Sequence, residues 1–273
     1  MRETQRDIIR ALGVKPQINA REEIESRIQF CKDYLRHTRA KGFVLGISGG
    51  QDSSLGGRLA QLACEQLRDE GHDAHFVAMR LPHGVQHDEA DAQAALAFIA
   101  PDETVTVNIK GAVDGLVSEL RDEDLSDFNR GNVKARMRMV AQYALAADRG
   151  LLVLGTDHAA EAVTGFFTKF GDGAFDLTPL GGLTKEQGRE LMRELGSPAR
   201  LYEKVPTADL LDGNPGRTDE DELGVRYTDI DTYLTGGDVD DAVAEIIEGY
   251  YARSAHKRHT PVNPYESWWR RAN

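Results

Sequence analysis

Residues 43–54 read FVLGISGGQDSS and join a short apolar run to a glycine-rich turn. The run FVLGI predicts a β-strand covered on both faces, because none of its residues is polar. After the turn, Leu55, Leu59 and Leu67 recur at helical spacing, so we expect a helix that begins near Asp52. A strand that enters a helix through glycines is suited to phosphate binding, because the first N–H groups of the helix point at the anion.

Three more strand-like runs follow, separated by helical patterns. They are HFVAMRL at 75–81, ETVTVNI at 103–109 and LLVLG at 151–155. Strands that alternate with helices predict an α/β fold with a doubly wound, mostly parallel sheet and helices on both faces. Ligands of such sheets bind beyond the carboxyl ends of the strands, so we expect loops 46–54, 80–87 and 155–161 to converge on one crevice.

The composition is typical of a soluble globular protein, with 273 residues, 40% hydrophobic and 29% charged. No apolar run predicts a transmembrane helix, and the charged N-terminus is unlike a secretory signal, so we expect a cytoplasmic protein. Cys31 and Cys64 are too few for a disulfide framework or a multi-cysteine metal site. The net charge of −12 argues against a nucleic-acid partner but allows a small anionic ligand.

The turn fits neither of two widespread phosphate-binding patterns. The Walker pattern needs a lysine that is absent, and the dinucleotide pattern needs another spacing than that of Gly46, Gly49 and Gly50. A plain strand-to-helix turn would usually need only one glycine. Asp52 would repel phosphates unless a cation lay between them, which predicts Mg²⁺; the alternative is an ordinary helix N-cap.

The stretch SGGQDSS resembles the S-G-G-x-D-S pyrophosphate loop of the N-type ATP pyrophosphatases. Further motifs extend the resemblance over essentially the whole chain to ammonia-dependent NAD synthetase. They include RLPHGVQHDEADAQ at 80–93, FNRGNVKARMRM at 128–139, GTDHAAEAVTGFFTKFGDG at 155–173, LTPLGGLTKEQGR at 177–189 and HKR at 256–258. The resemblance implies a single domain over residues 1–273, a Rossmann-like fold of the adenine nucleotide alpha-hydrolase type, and a homodimer that binds deamido-NAD across its interface.

The resemblance also implies a reaction, the ATP-dependent amidation of deamido-NAD by ammonia. The nicotinate carboxylate attacks the α-phosphorus of ATP, pyrophosphate leaves, and ammonia displaces AMP from the resulting acyl-adenylate. Free ammonia is the expected donor, because a glutaminase domain would need roughly 200 further residues. Two rival functions stay open: another ATP pyrophosphatase acting on a different carboxylate or carbonyl substrate, and a nucleotide-binding regulatory module without turnover.

Roles for individual residues follow from the same resemblance. The expected ATP contacts are Gly46, Ile47, Ser48, Gly49, Gly50, Gln51, Asp52, Ser53, Arg80, Thr156, Lys185 and Thr207. The expected deamido-NAD contacts are Arg136, Lys169, Asp176, His256 and Lys257. Asp52 and Glu161 are the expected Mg²⁺ ligands, and Lys185 is also expected to act in catalysis as a phosphate cation.

Asp172 is our candidate for the carboxylate that takes a proton from ammonium, since it lies in a Gly-Asp-Gly turn of the 155–173 motif. Plainer alternatives remain for several residues. They are a surface charge for Glu161, an exposed helix face for Arg136, and core packing rather than ring stacking for Phe128 and Phe170. His83 and His87 have a spacing that suits a metal on a helix, but Pro82 and Gly84 favour a loop.

The last third of the chain is less regular. Residues 203–226 predict a mobile loop that orders on ligand binding, or a plain solvated loop. Residues 240–253 predict a last helix, and residues 255–273 a basic, aromatic tail. Spare apolar helical surface at 24–35 and 139–145 is consistent with a dimer.

Overall fold

The fold is described by a computed structural model that covers residues 1–84, 89–120, 123–204, 218–259 and 261–270. Within these residues the strands form a four-stranded parallel sheet of β1 (Gly42–Gly46), β2 (His75–Arg80), β3 (Glu103–Thr106) and β4 (Leu152–Val153). The strand order is β3-β2-β1-β4, so the winding reverses between β1 and β4. The predicted doubly wound α/β sheet is confirmed, and the loop after β1 leaves the sheet at the switch point where such folds bind ligands.

The predicted strands were nearly right at β1 and β2 and too long elsewhere. β1 pairs with β2 in register from Gly42 and His75 to Gly46 and Met79. β3 ends at Thr106 rather than at 109, and β4 covers 152–153 of the predicted 151–155. Leu154 then forms an isolated parallel bridge with Leu177. Residues beyond these strand ends are therefore free to form connecting loops.

Helices surround the sheet and continue beyond it. In chain order they are α1 (Glu3–Leu12), α2 (Ala20–Thr38), α3 (Gln51–Asp69), α4 (Glu89–Ile99), α5 (Lys110–Glu119), α6 (Asp127–Arg149), α7 (Ala159–Thr164), α8 (Lys185–Glu194), α9 (Ala199–Tyr202), α10 (Asp219–Leu223), α11 (Tyr227–Leu234), α12 (Asp241–Arg253) and α13 (Ala255–Arg258). A short 3-10 helix follows at Trp268–Arg270. Among the described residues, no helix is both long and apolar enough to span a bilayer.

The two faces of the sheet have separate cores, as the apolar sequence of β1 predicts. Phe43 and Leu45 belong to the core that β1 shares with α2, α3 and α8. Val44 points the other way and belongs to the core that contains Val113 of α5 and Ala146 of α6. Alternate residues of a strand face opposite sides, so one apolar strand is buried by helices on both faces.

A third core holds the helices that lie beyond the sheet. It contains Ile8 of α1, Val163 of α7, Ile230 of α11 and Ile247 of α12. Helices α7 to α11 were not predicted from the sequence, and the prediction of a loop over all of 203–226 was wrong, because α10 lies within that range. Residues 205–217 of the predicted loop lie outside the described residues.

Gly49 fixes the path of the turn after β1. Its φ is +87°, a value that favours glycine, and a Cβ there would lie 2.8 Å from the backbone nitrogen of Ala92 in α4. Backbone-to-backbone contact at this distance leaves no room for a side chain. The turn is therefore pressed against the first residues of α4.

We expect Gly49→Ala to lower the free energy of unfolding more than Gly71→Ala does. Gly71 has nearly the same φ of +85° but has nothing within 4 Å of its would-be Cβ. Both variants incur the cost of a left-handed alanine, about 1–2 kcal/mol, and only Gly49→Ala adds the collision with α4. Urea unfolding of the two variants and the wild type measures this difference; equal losses would contradict the close approach.

Candidate active site

The turn after β1 presents backbone N–H groups at the carboxyl edge of the sheet. The hydroxyls of Ser48 and Ser53 lie 3.0 Å apart, and the Ser54 hydroxyl donates to the Gly50 carbonyl at 2.7 Å. Gly50 is the N-cap of α3, and no side chain of the described residues caps this end of the helix. The first N–H groups of α3 thus lack a side-chain acceptor, which is the arrangement that binds anions at helix N-termini.

Asp52, in the first turn of α3, forms a buried ion pair with Lys185, the first residue of α8. Lys185 Nζ donates to Asp52 Oδ2 at 2.7 Å, and Lys185 is only 3% exposed. Burial opposes both charges, but the attraction of Asp52 and Glu161 raises the pKa of Lys185, and that of Lys185 lowers the pKa of Asp52. Both groups are therefore charged, and the structure brings together two residues that lie 133 positions apart.

Two side chains hold the backbone of Lys185 in place. The carboxylate of Asp231, in α11, accepts the N–H groups of Lys185 at 3.1 Å and of Glu186 at 2.8 Å. The buried side chain of Gln51 donates to the Lys185 carbonyl at 2.9 Å. The ring of Tyr227 lies 5.3 Å from Lys185 Nζ. In the predicted ATP loop, the Gln51 side chain thus anchors the start of α8.

Asp52, His158 and Glu161 form a cluster whose ligand-type atoms all lie within 4.8 Å of one another. His158 Nδ1 accepts the Glu161 N–H at 3.4 Å, and Glu161 Oε2 accepts the His158 N–H at 3.4 Å, a capping box at the start of α7. Burial lowers the pKa of His158 to about 4. Burial, followed by repulsion from Asp52 and Asp157, raises the pKa of Glu161 well above its usual value.

Two more carboxylates lie beside this cluster. Burial and repulsion from Asp172 and Asp52 raise the pKa of Asp157 to about 8. Asp172 accepts the Thr168 N–H at 3.1 and 3.3 Å from its two oxygens. The Asp172 side chain is exposed to solvent, but surrounding protein atoms displace enough water from its carboxyl to raise the pKa. Crowding thus favours the protonated forms of these carboxyls, and a cation bound among them would favour the ionised forms.

The predicted deamido-NAD contacts form a connected basic group. Arg136 Nη2 donates to the Lys169 carbonyl at 3.2 Å, and Lys169 Nζ donates to the His256 carbonyl at 2.7 Å. Lys257 Nζ donates to the carbonyls of Gly165 and Phe167 at 2.8 and 2.7 Å. Burial lowers the pKa of Lys257, while Asp172 and Asp157 attract its charge. The basic group therefore borders the carboxylates.

Asp176 and the two phenylalanines complete this side of the site. Asp176 Oδ2 accepts the Val153 N–H at 2.7 Å, and Oδ1 accepts the Tyr143 hydroxyl at 3.3 Å, so the carboxylate is bound at the end of β4. Phe128 and Phe170 are 59% and 54% exposed. Core packing is therefore wrong for both rings, and their faces are accessible for stacking.

The remaining predicted residues lie at or beyond the same sheet edge. Arg80 forms two hydrogen bonds to Glu89, at 2.7 and 2.5 Å. Thr156 follows β4, and its methyl group lies next to Gly56 of α3. His83 Nε2 lies 4.0 Å from Asp114 Oδ1. Thr207 and His87 lie outside the described residues.

Four residues of this site were not predicted from the sequence. Asp157 and His158 follow β4 directly, so the rule that ligands bind beyond strand ends could have identified them. Asp219 and Tyr227 are joined by a hydrogen bond from the Tyr227 hydroxyl at 3.1 Å, and both flank Lys185. They belong to short helices whose sequences show no clear period, and no local signal indicates their position.

Comparison with known proteins assigns the chain to a family. The sequence profile described as NAD synthase matches residues 23–261. The NH3-dependent NAD(+) synthetase of Bacillus velezensis is 60% identical over 269 residues, which cover 97% of this chain and 99% of the relative. The crystal structure of NAD+ synthetase from Burkholderia pseudomallei has a TM-score of 0.81 at 51% identity, over 94% of this chain and 96% of that one. The structure of NMN synthetase from Francisella tularensis has the same TM-score at 34% identity, over 92% and 100%.

The raised pKa of Glu161 predicts a pH effect on the metal-free protein. Folded Glu161 binds its proton more tightly than the unfolded chain does, so the free energy of unfolding falls as pH rises above the ordinary value of 4.5. Glu161→Gln removes this titration, and we expect its free energy of unfolding to fall less between about pH 5 and about pH 8. Urea unfolding in EDTA measures both slopes, with the exposed Glu245→Gln as control; equal slopes for Glu161→Gln and the wild type would contradict this.

Proposed function

The chain belongs to the NAD synthase family, and we propose that it is a ligase that amidates deamido-NAD with ammonia at the expense of ATP. The products are NAD, AMP and pyrophosphate. The buried Asp52–Lys185 pair beside the uncapped start of α3 is the observation that carries the proposal. The pair supplies a fixed cation for a polyphosphate, and the start of α3 supplies N–H groups for it. The separate basic group borders the carboxylates of the site.

The arrangement suits a reaction between two anions. A carboxylate does not react with ammonia directly, because oxide is a very poor leaving group, and adenylation replaces oxide with AMP. Attack of the nicotinate carboxylate on the α-phosphorus forms the acyl-phosphate bond and breaks the bond to pyrophosphate. Ammonia then adds to the acyl carbon, loses a proton, and AMP leaves with the electron pair of the broken bond. Holding both nucleotides in line supplies much of the rate enhancement.

ATP occupies the turn at 46–54 in this proposal. The N–H groups at the start of α3 and the ammonium of Lys185 bind the pyrophosphate part, and Arg80, Thr156 and Thr207 complete the ATP contacts. Asp52 and Glu161 fit Mg²⁺, because both offer hard oxygen ligands and the buried site is short of positive charge. Magnesium, when bound, neutralises charge on the phosphates that leave.

Deamido-NAD occupies the basic side of the site. Arg136, Lys169 and Lys257 are the cations for its phosphates, and His256 lies beside them. Asp176 accepts hydrogen bonds and suits ribose hydroxyls. The exposed rings of Phe128 and Phe170 offer faces to a base or to the nicotinate ring.

The active form in this proposal is a homodimer with deamido-NAD at its interface. Phe128 and Val140 of α6 are 59% and 50% exposed, and Phe30 of α2 is 45% exposed, so apolar surface is available on both helices. A sedimentation mass of a single chain would contradict it.

We place the enzyme in the cytoplasm, since Cys31 and Cys64 are free, buried thiols that suit a reducing compartment.

Product analysis tests the proposed reaction. With deamido-NAD, ATP, MgCl₂ and ammonium chloride, the protein should form NAD, AMP and pyrophosphate in equal amounts. Nicotinate mononucleotide, added as a competing substrate, should be the poorer acceptor because it lacks the adenylate half that the basic side would bind. ADP as a product would contradict the adenylation step, and turnover of another carboxylate alone would favour a rival ATP pyrophosphatase.

Asp172→Asn should lower kcat/KM for ammonium by about 10²- to 10⁴-fold, because the amide can neither attract ammonium by charge nor accept its proton. The KM for ATP should change little, since the hydrogen bonds of Asp172 go to the Thr168 N–H and none goes to a residue of the turn at 46–54. Initial rates at varied ammonium concentration measure the effect, with the exposed Asp73→Asn as control. A wild-type dependence on ammonium would show that another carboxylate accepts the proton.

A further inference from the structure

His158 is the buried member of the cluster of Asp52, His158 and Glu161. It is not one of the proposed ATP or deamido-NAD contacts. It is 3% exposed, and its Nε2 has no hydrogen-bond partner among the described residues. Nε2 lies 3.7 Å from Asp52 Oδ1 and 3.7 Å from Glu161 Oε2. The nitrogen is thus equally distant from the two carboxylates that fit a divalent cation.

The hydrogen bond at Nδ1 decides which nitrogen carries the proton. Nδ1 accepts the backbone N–H of Glu161 at the start of α7, so it presents a lone pair and no hydrogen. A neutral imidazole has one N–H, which must then be at Nε2. A doubly protonated ring would place two donors face to face at Nδ1, which the capping box excludes. His158 therefore points an N–H, and not a lone pair, at Asp52 and Glu161.

This tautomer rules out the obvious role for a histidine in such a cluster. A metal ligand must offer a lone pair, and Nε2 could do so only if the proton moved to Nδ1. The Nδ1–H would then oppose the Glu161 N–H and break the cap of α7. That helix carries Glu161 itself, so the change would displace one of the two carboxylates that the cation needs.

We propose that His158 is a positioning residue, whose Nε2–H is the shared hydrogen-bond donor that holds the carboxylates of Asp52 and Glu161 in place for Mg²⁺. This rests on the magnesium site of the proposed function. An unpaired buried donor is costly, and a small movement of either carboxylate toward Nε2 satisfies it. Donors behind ligating carboxylates are known to fix ligand orientation, and their loss typically weakens metal binding 10–100-fold.

The same arrangement favours magnesium over zinc. An imidazole lone pair would add a nitrogen ligand, which zinc accepts readily and magnesium does not favour. With the proton at Nε2, the protein offers oxygen ligands alone. The capping box of α7 thereby sets the chemical character of the metal site.

Two variants separate the two nitrogens of His158. His158→Asn keeps an acceptor for the Glu161 N–H, since asparagine is a good N-cap, but loses the donor at the position of Nε2. His158→Gln can place an amide N–H near the position of Nε2 but loses the cap. We expect Asn to retain the melting temperature and to bind Mn²⁺ at least about tenfold more weakly. Gln should lose about 2–4 °C in melting temperature and bind Mn²⁺ close to the wild-type affinity.

Mn²⁺ serves as the probe, titrated by electron paramagnetic resonance against the full chain with α,β-methylene-ATP. Glu161→Gln is the control that removes a ligand. Wild-type Mn²⁺ affinity in His158→Asn would overturn the proposal. If every variant, including Glu161→Gln, bound Mn²⁺ as tightly as the wild type, the magnesium site would be overturned together with the positioning role. Product analysis of the wild type tests the reaction separately.

The tautomer itself has a spectroscopic test. In protein labelled with ¹⁵N-histidine, two-bond ¹H–¹⁵N correlation spectra should show His158 protonated at Nε2, both without metal and with Mg²⁺ and α,β-methylene-ATP. Electron spin echo spectra of the Mn²⁺ complex should show no directly bonded nitrogen from labelled histidine. A directly bonded ¹⁵N, or an Nδ1–H tautomer, would make His158 a ligand and overturn the positioning role alone.

Discussion

The ion pair of Asp52 and Lys185 connects the sheet to the helices that lie beyond it. Asp52 belongs to α3, which packs on β1, whereas Lys185 opens α8, whose N-terminus is held by Asp231 of α11. Removing one partner of a fully buried pair usually costs about 3–5 kcal/mol, because the other charge is left without compensation, and the cost here is smaller because the Asp52 side chain is 21% exposed. The pair therefore fixes α8 against the turn that follows β1, and a cation stands at the anion site before any ligand arrives.

One ammonium does not balance the carboxylates around it. Lys185 stabilises the charge of Asp52, but Glu161 and Asp157 are half-buried near the same point and their pKa values are raised. A protein gains nothing in stability from such crowding, so its explanation lies in what the site binds. A divalent cation beside Asp52 and Glu161, and an ammonium ion beside Asp157 and Asp172, would each stabilise the ionised forms of carboxyls that the fold alone keeps protonated.

Local periodicity was enough to predict the sheet and the long helices, because β1, α2, α3 and α12 each span enough residues to show a pattern. The helices α7, α9 and α10 have four to six residues each, too few to show a helical period. α7 and α10 pack in the core that contains α1, and α9 contributes Leu201 to the core of α2, α3 and α8. The resemblance assigned Asp52 and Lys185 to the same ATP site, but the ion pair between them is visible only in the fold. The resemblance assigned no role to Asp157 and His158, although both follow β4 directly and lie in the loop at 155–161 that was expected at the crevice.

Membership in a motif does not say what a side chain does. Gln51 lies inside the phosphate-binding sequence, yet its amide is turned away to hold the carbonyl of Lys185. His158 lies among metal-binding residues, yet the bond that it accepts at Nδ1 makes its other nitrogen a donor. In both cases the direction of one hydrogen bond separates a ligand from a support. Because each buried polar group must satisfy its own donors and acceptors, that direction follows from the fold around it and not from the spacing of residues in the sequence.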